Sequence, residues 1–397
     1  PLKLHGFRNA GASNLNKEYN IKAQLVPEWV HTSGAGAYTH FEMQHMLTDL
    51  GMIYGRALYV KQGESGIKLQ APAERLEALL QLAHLYLSAP RENPEALRYW
   101  KEDESLFYKK PPYGREEHDL TVRSKEELRV PDAGITAMER YEGVQQSNLA
   151  ELKLIHQKLF QHPQEFLFLL SGEFKETEVV PLLEVYLGNL PVSENQINRK
   201  ENTIHTLPKA PLKKAFAIPG IFSSDLKLKI QYTYPIARED WKSQVDLKLM
   251  QQVIKSRLWE LRVVKKRGLY VSSSIGYIHP LGETGNLVIG LPTVAEMGNV
   301  LIKDVAELIA EFKKHTITEE ELQGIKANVY YQDITGKSVL DQGYLYHKWN
   351  LLTPDENEVQ AYLESITPKE LQRLLNEKLV DKHRYIFMGT GKTKPLD

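Results

Sequence analysis

The chain has 397 residues, too many for one ordinary hydrophobic core and enough for two domains of about 200 residues each. Hydrophobic residues make up 42% and charged residues 25%, and the net charge of −1 gives no general field for nucleic acid or an anionic membrane. No cysteine is present, which excludes disulfides, thiolate metal sites and cysteine nucleophiles, while cytoplasm and bacterial periplasm both stay open as compartments.

The opening Pro1-Leu2-Lys3-Leu4-His5-Gly6 has neither the apolar run of a signal peptide nor an initiator methionine, so removal of an upstream segment is one expectation. No apolar run approaches the roughly 20 residues of a membrane-spanning helix, and the chain is expected to be soluble.

Residues 19–26 alternate apolar and polar side chains, which predicts a strand. Gly34-Ala35-Gly36 breaks the chain before a helix over 38–50, closed by Gly51. Short strands are expected at 53–60 and 66–70, with Gly63 between them. An amphipathic helix follows over 73–87, where Leu76, Leu79, Leu80, Ala83 and Leu87 keep helical spacing. A second helix covers 93–108, with Pro94 in its first turn. The charged, turn-rich stretch to about residue 143 gives no assignable element. A helix over 149–160 leads into Phe166-Leu167-Phe168-Leu169-Leu170, an apolar run of the kind covered on both faces. A helix over 177–187 ends this half. The polar stretch 192–211, with Pro208 and Pro211, reads as a linker, dividing the chain into domains at 1–200 and 201–397.

The second half repeats the order. Strand 226–234 is followed by a long helix over 241–264, a strand pair at 268–278 and 285–291, and an amphipathic helix over 294–314. Thr318 with Glu321 has the spacing of a capping box at the start of another helix. Helices over 335–351, 357–365 and 368–379 precede a last strand at 384–388. The repeat, near 200 residues, predicts a duplicated α/β domain, each copy a mixed sheet with helices on one face.

Phe166-Leu167-Phe168-Leu169-Leu170-Ser171-Gly172-Glu173-Phe174 resembles the apolar strand of the insulinase/pitrilysin family of zinc metallopeptidases, which ends in Gly-Asp-Phe or Gly-Asn-Phe. Val180-Pro181-Leu182-Leu183 and Tyr186-Leu187-Gly188-Asn189-Leu190-Pro191 are similar to the family's next helix. Leu76-Glu77-Ala78-Leu79-Leu80-Gln81-Leu82 is similar to another family helix, and so is Arg257-Leu258-Trp259-Glu260-Leu261-Arg262, which is followed by Gly268-Leu269-Tyr270. The likeness runs from about residue 17 onward.

The resemblance implies a zinc site written His-x-x-Glu-His on a helix, where two histidines four apart share a face and the glutamate acts as general base. On the helix over 38–50, alignment through His45-Met46-Leu47 puts Phe41 at the first histidine and Gln44 at the base. Neither side chain can do that work. His40 and His45, five residues apart, stand roughly 140° apart around a helix and cannot share a metal. No metal is therefore expected in this chain, and zinc is expected in a partner half.

The resemblance further implies an arginine near the end of a long helix and a tyrosine on the following strand, reaching substrate at the partner's zinc site. Arg262 and Tyr270 are the matches, eight residues apart where the family has seven. Both can donate to a carbonyl oxygen gaining charge. The sequence equally allows Arg262 to be one of several cations at a helix C-terminus, with Tyr270 an ordinary strand residue. The expected function is a non-catalytic half or subunit that pairs with a zinc-bearing homologous half and helps enclose peptide substrate. The alternatives are an active zinc endopeptidase with an atypical site and a purely structural subunit.

Overall fold

Leu2-Lys3-Leu4-His5-Gly6-Phe7-Arg8 forms the first strand, β1 (Leu2–Arg8), and sends Leu2 and Leu4 into the core. The computed structural model describes residues 1–109, 115–130, 133–195, 207–236, 240–263, 272–277, 284–315 and 317–391. The chain divides into two compact units, 1–111 with 134–202 and 112–133 with 203–397.

The first unit continues with α1 (Lys17–Ser33) and α2 (His40–Asp49), then the hairpin β2 (Leu58–Val60) and β3 (Ser65–Ala71), then α3 (Leu76–Ser88) and α4 (Pro94–Lys109). The next helix, α5 (Glu116–Glu127), belongs to the second unit. The chain then returns through α6 (Ala137–Gln146), α7 (Leu149–Phe160), β4 (Leu167–Ser171) and α8 (Glu176–Tyr186). The sheet order is β2-β3-β1-β4, antiparallel throughout.

Residues 19–26, expected as a strand, lie inside α1. Among the side chains buried there, Lys22, Val26, Trp29 and Ser33 recur every three or four residues, which is helical spacing. Asn16 caps the helix by accepting from the Tyr19 amide at 3.1 Å. Gly34 ends it at φ 93°, and a Cβ there would lie 2.2 Å from the Tyr38 carbonyl oxygen, so only glycine fits.

In the second unit β5 (Leu212–Ala217), β6 (Asp225–Pro235) and α9 (Trp241–Val263) precede the hairpin β7 (Ser272–Tyr277) and β8 (Thr284–Val294). Helices α10 (Gly298–Lys314), α11 (Glu319–Lys326), α12 (Gln332–Thr335), α13 (Val339–Trp349), α14 (Glu356–Ser365) and α15 (Pro368–Lys378) lead to β9 (Arg384–Thr390). The sheet order is β5-β9-β6-β8-β7, in which only the β5–β9 pair is parallel. Removing β5 leaves the order of the first unit: a central first strand flanked by the hairpin on one side and the last strand on the other. The fold is thus a duplicated α/β unit with a mixed sheet in the second copy.

Alternation along β6 separates the two faces of its sheet. Leu226, Leu228, Ile230, Tyr232 and Tyr234 are buried in the core shared with α9, α10 and α15. On the opposite face α5 brings Leu120 and Leu128 against Tyr385 and Phe387 of β9, and Ser124 Oγ accepts from Lys229 Nζ at 2.8 Å. The segment 112–133, expected in the first domain, therefore packs in the second. The described ends of the expected linker are also engaged: the Pro208 carbonyl accepts from the Tyr385 hydroxyl at 2.6 Å. No described helix is long and apolar enough to cross a membrane.

Candidate functional site

Helix α2 begins where Thr39 and Glu42 cap each other: the Thr39 amide donates to Glu42 Oε2 at 2.7 Å, and the Glu42 amide donates to Thr39 Oγ1 at 3.3 Å. That cap fixes which way the next side chains point. Phe41 is 70% exposed, and Gln44 and His45 are exposed too. His40 instead turns inward toward α1. Its Nδ1 lies 2.9 Å from the His31 carbonyl oxygen and must carry the proton to bond it. The Tyr54 hydroxyl donates to the same carbonyl at 3.1 Å.

His31 stacks on the Tyr54 ring at 4.7 Å and meets the His40 ring edge-on at 5.2 Å. Burial lowers the His31 imidazole to about 4, and the charges of His40 and Arg56 push the same way. Burial raises the Tyr54 phenol to about 12. His40 and His45 are thus not brought together, and His40 belongs to an aromatic cluster with His31 and Tyr54. Among the described residues no group of three or more histidine, aspartate or glutamate side chains is placed to hold a metal ion.

The nearest carboxylate of α1 is Glu28, which stands where the glutamate of His-x-x-Glu-His would, with Leu25 and Trp29 at the two histidine positions. Both are buried core residues, at 1% and 0% exposure. Glu28 is not poised as a base. Burial alone would raise its carboxyl, but the hydrogen bond and charge of Arg140, the charge of Arg56 and the Trp100 indole outweigh that and hold it below the ordinary carboxylate range. The distances are 2.7 Å to Arg140, 3.2 Å to Arg56 and 3.2 Å to Trp100 Nε1. Arg140 also pairs with Glu104 at 3.0 Å. Sequence reading missed this network because its bonded partners lie 28 to 112 residues apart along the chain and share no motif.

In the second unit Arg262 falls in the last turn of α9, and its side chain, like Tyr270, lies outside the described residues. One turn earlier α9 is split by exposure: Leu258 and Leu261 are buried, Trp259 is 60% exposed. Beside them lies a cavity of about 650 Å3, walled by Gln252, Leu258 and Trp259 of α9, Ser273 of β7, and Gly324 and Ile325 of α11. An ion pair of 2.5 Å between Arg257 and Glu321 ties α9 to α11 at its side. Lys255, Arg257 and Glu321 also line it, so the cavity is charged as well as apolar.

A family model described as the peptidase M16 inactive domain matches residues 147–329, from α7 through α11. Three solved structures show the same fold at low identity. A peptidase M16 inactive domain from Pseudomonas fluorescens is 18% identical, with a TM-score of 0.72, the match covering 100% of this chain and 94% of that one. A protease from Helicobacter pylori is 16% identical with a TM-score of 0.72, covering 98% of this chain and 93% of the other. The periplasmic protease PqqL from Escherichia coli is 15% identical with a TM-score of 0.71; 98% of this chain is covered but only 43% of PqqL, so the chain spans less than half of that protein. No curated protein matches the sequence.

Proposed function

We propose that this insulinase/pitrilysin-like chain, which carries the family's inactive domain, is the non-catalytic half of a zinc peptidase and helps enclose a peptide substrate. The observation that carries the reading is the pairing of that match with a sequence in which no His-x-x-Glu-His occurs. Leu25, Trp29, Phe41 and Gln44 all stand where one frame or another of the motif needs a ligand or base, and none can serve. Similar folds occur both within a protein of more than twice the length and as chains of equal length. The zinc-bearing half is accordingly expected either in the same polypeptide or as a separate homologous chain. Zinc, bound there, would polarise the scissile carbonyl and activate water. Within this chain, Arg262 and Tyr270 are proposed to donate hydrogen bonds to the substrate.

The test is affinity purification of the tagged chain from its own cells. A stoichiometric companion carrying His-x-x-Glu-His, with peptidase activity appearing only when both are present, is the expected result. Isolation of this chain alone, with no peptidase activity gained from any homologous half, would sink the reading.

A further inference from the structure

We infer that the second unit binds a free, small, apolar α-amino acid as its zwitterion, in a pocket between the end of β6, the start of α9 and the last turns of α15. The pocket measures about 170 Å3. At the roughly 30 Å3 that a water takes in the liquid, that is room for a molecule of about six non-hydrogen atoms, the size of alanine. Ile236 of the chain after β6, Leu247 and Met250 of α9 and Leu374 of α15 line it with apolar surface, and all four are buried. The polar lining divides between the helices. Asp246 comes from α9, and Arg373, Glu377 and Lys378 come from α15.

Asp246 is a carboxylate without a counter-ion. Its Oδ1 accepts from the Tyr362 hydroxyl at 2.9 Å, and among the described residues no cation pairs with it. Burial raises the carboxyl to about 6 against that bond, and the charges of Asp240 and Glu370 push further up while Arg373 pulls down. An ammonium group brought against a carboxylate so placed stabilises its charged form.

α15 supplies the opposite charge in excess. Arg373 Nη1 and Lys378 Nζ reach the two oxygens of a single carboxylate, Glu377, at 2.9 Å and 3.1 Å, so two cations share one anion. One side of the pocket thus carries unmatched negative charge and the other unmatched positive charge. An α-amino acid presents the complement: an ammonium for Asp246, a carboxylate for Arg373 and Lys378, and a small side chain for the apolar lining. A plain amine or a plain acid would satisfy one side only. A residue inside a peptide carries neither charge, so this site is separate from the peptide-binding reading above, and either can fail without the other.

The experiment is calorimetric titration of the full chain with L-alanine, which should bind with a Kd of about 1 mM or tighter. Ethylamine, which lacks the carboxylate, and propionate, which lacks the ammonium, should each bind about tenfold more weakly or worse. Asp246→Asn keeps an acceptor for Tyr362 and removes the charge, and should weaken L-alanine about tenfold or more. Arg373→Gln changes a side chain that is 62% exposed, so the fold should survive it, and the affinity should fall by a similar factor. The Trp241 ring meets Tyr362 edge-on at 5.6 Å, and its fluorescence gives a second readout of the same site. A Kd above about 10 mM for L-alanine, binding of ethylamine or propionate equal to it, or full affinity in either variant overturns the assignment.

Discussion

The Tyr54 hydroxyl lies 2.5 Å from Nδ1 of His40, so the one histidine of α2 that faces the protein is already committed to a phenol and a backbone carbonyl. His45, on the same helix, faces solvent. A shared metal would need both to leave these positions.

Metal analysis of the purified chain should accordingly find well under about 0.1 zinc per molecule after dialysis against dilute chelator. Zinc at about one per chain, lost on His45→Ala, would contradict the geometry.

Arg140 holds Glu28 and Glu104, whose side chains are 13% and 6% exposed. Arg140→Met takes the guanidinium from both and leaves Glu28 the largely exposed Arg56 and the Trp100 indole. The expected cost is about 3 kcal/mol by urea unfolding, mostly from stranding buried charge. A loss below about 0.5 kcal/mol would mean the network contributes nothing.

Acid should loosen the first unit before the second. His31 and His156 both sit near 4 through burial, against an ordinary 6.5, so between those values the unfolded chain binds protons that the folded chain refuses. Stability contributed by these histidines is therefore full above 6.5 and falls as pH drops toward 4. Asp246 in the second unit acts in the opposite sense. Burial raises it to about 6 against the bond from Tyr362, so its unfavourable ionisation is relieved as pH falls from 6 toward 3.8. Hydrogen exchange at pH 7 and 5, corrected for intrinsic rates, should show α7 losing protection more steeply than α9. The reverse order would refute the assignment.

Much of the fold is legible in the sequence, and the exceptions have causes. α7, β6, α11 and the helices of the last 60 residues follow from periodicity and caps such as Thr318 of α11, which accepts from the Glu321 amide at 3.1 Å. α1 was obscured by a chance alternation at Tyr19, Ile21, Ala23 and Leu25, and by Pro27 inside the helix, where one backbone donor is lost. β5 is only six residues, four of them lysine or alanine, so it carries no strand signal. The Glu28–Arg140 network and the cavity beside Gly324 arise from tertiary packing, which no local pattern encodes.

Reconstituted with a zinc-bearing half, Tyr270→Phe should lower turnover about a hundredfold while leaving assembly unchanged by gel filtration, since it removes one donor to a developing oxyanion. Arg262→Ala should also lower turnover. Full activity with both changes together would make the two residues structural.

Limited proteolysis should cut first within 196–206, where the sequence is polar and near Pro208. The nicked chain should nonetheless elute as one species and separate only in denaturant, because α5, carried by the first fragment, packs on β6 and β9 of the second. Two freely separating pieces would show that α5 is not held there.

The placement of α5 also sets a timetable for synthesis. The ribosome makes Glu116–Glu127 more than 250 residues before it makes β9, the strand against which Leu120 and Leu128 pack. At about 5–20 residues per second, that is an interval of roughly 10 to 50 s. For that time Leu120 and Leu128 have no sheet to receive them, while the first unit, complete by α8, is free to fold with α5 left outside it. The last strand to be made is therefore the one that buries Leu120 and Leu128.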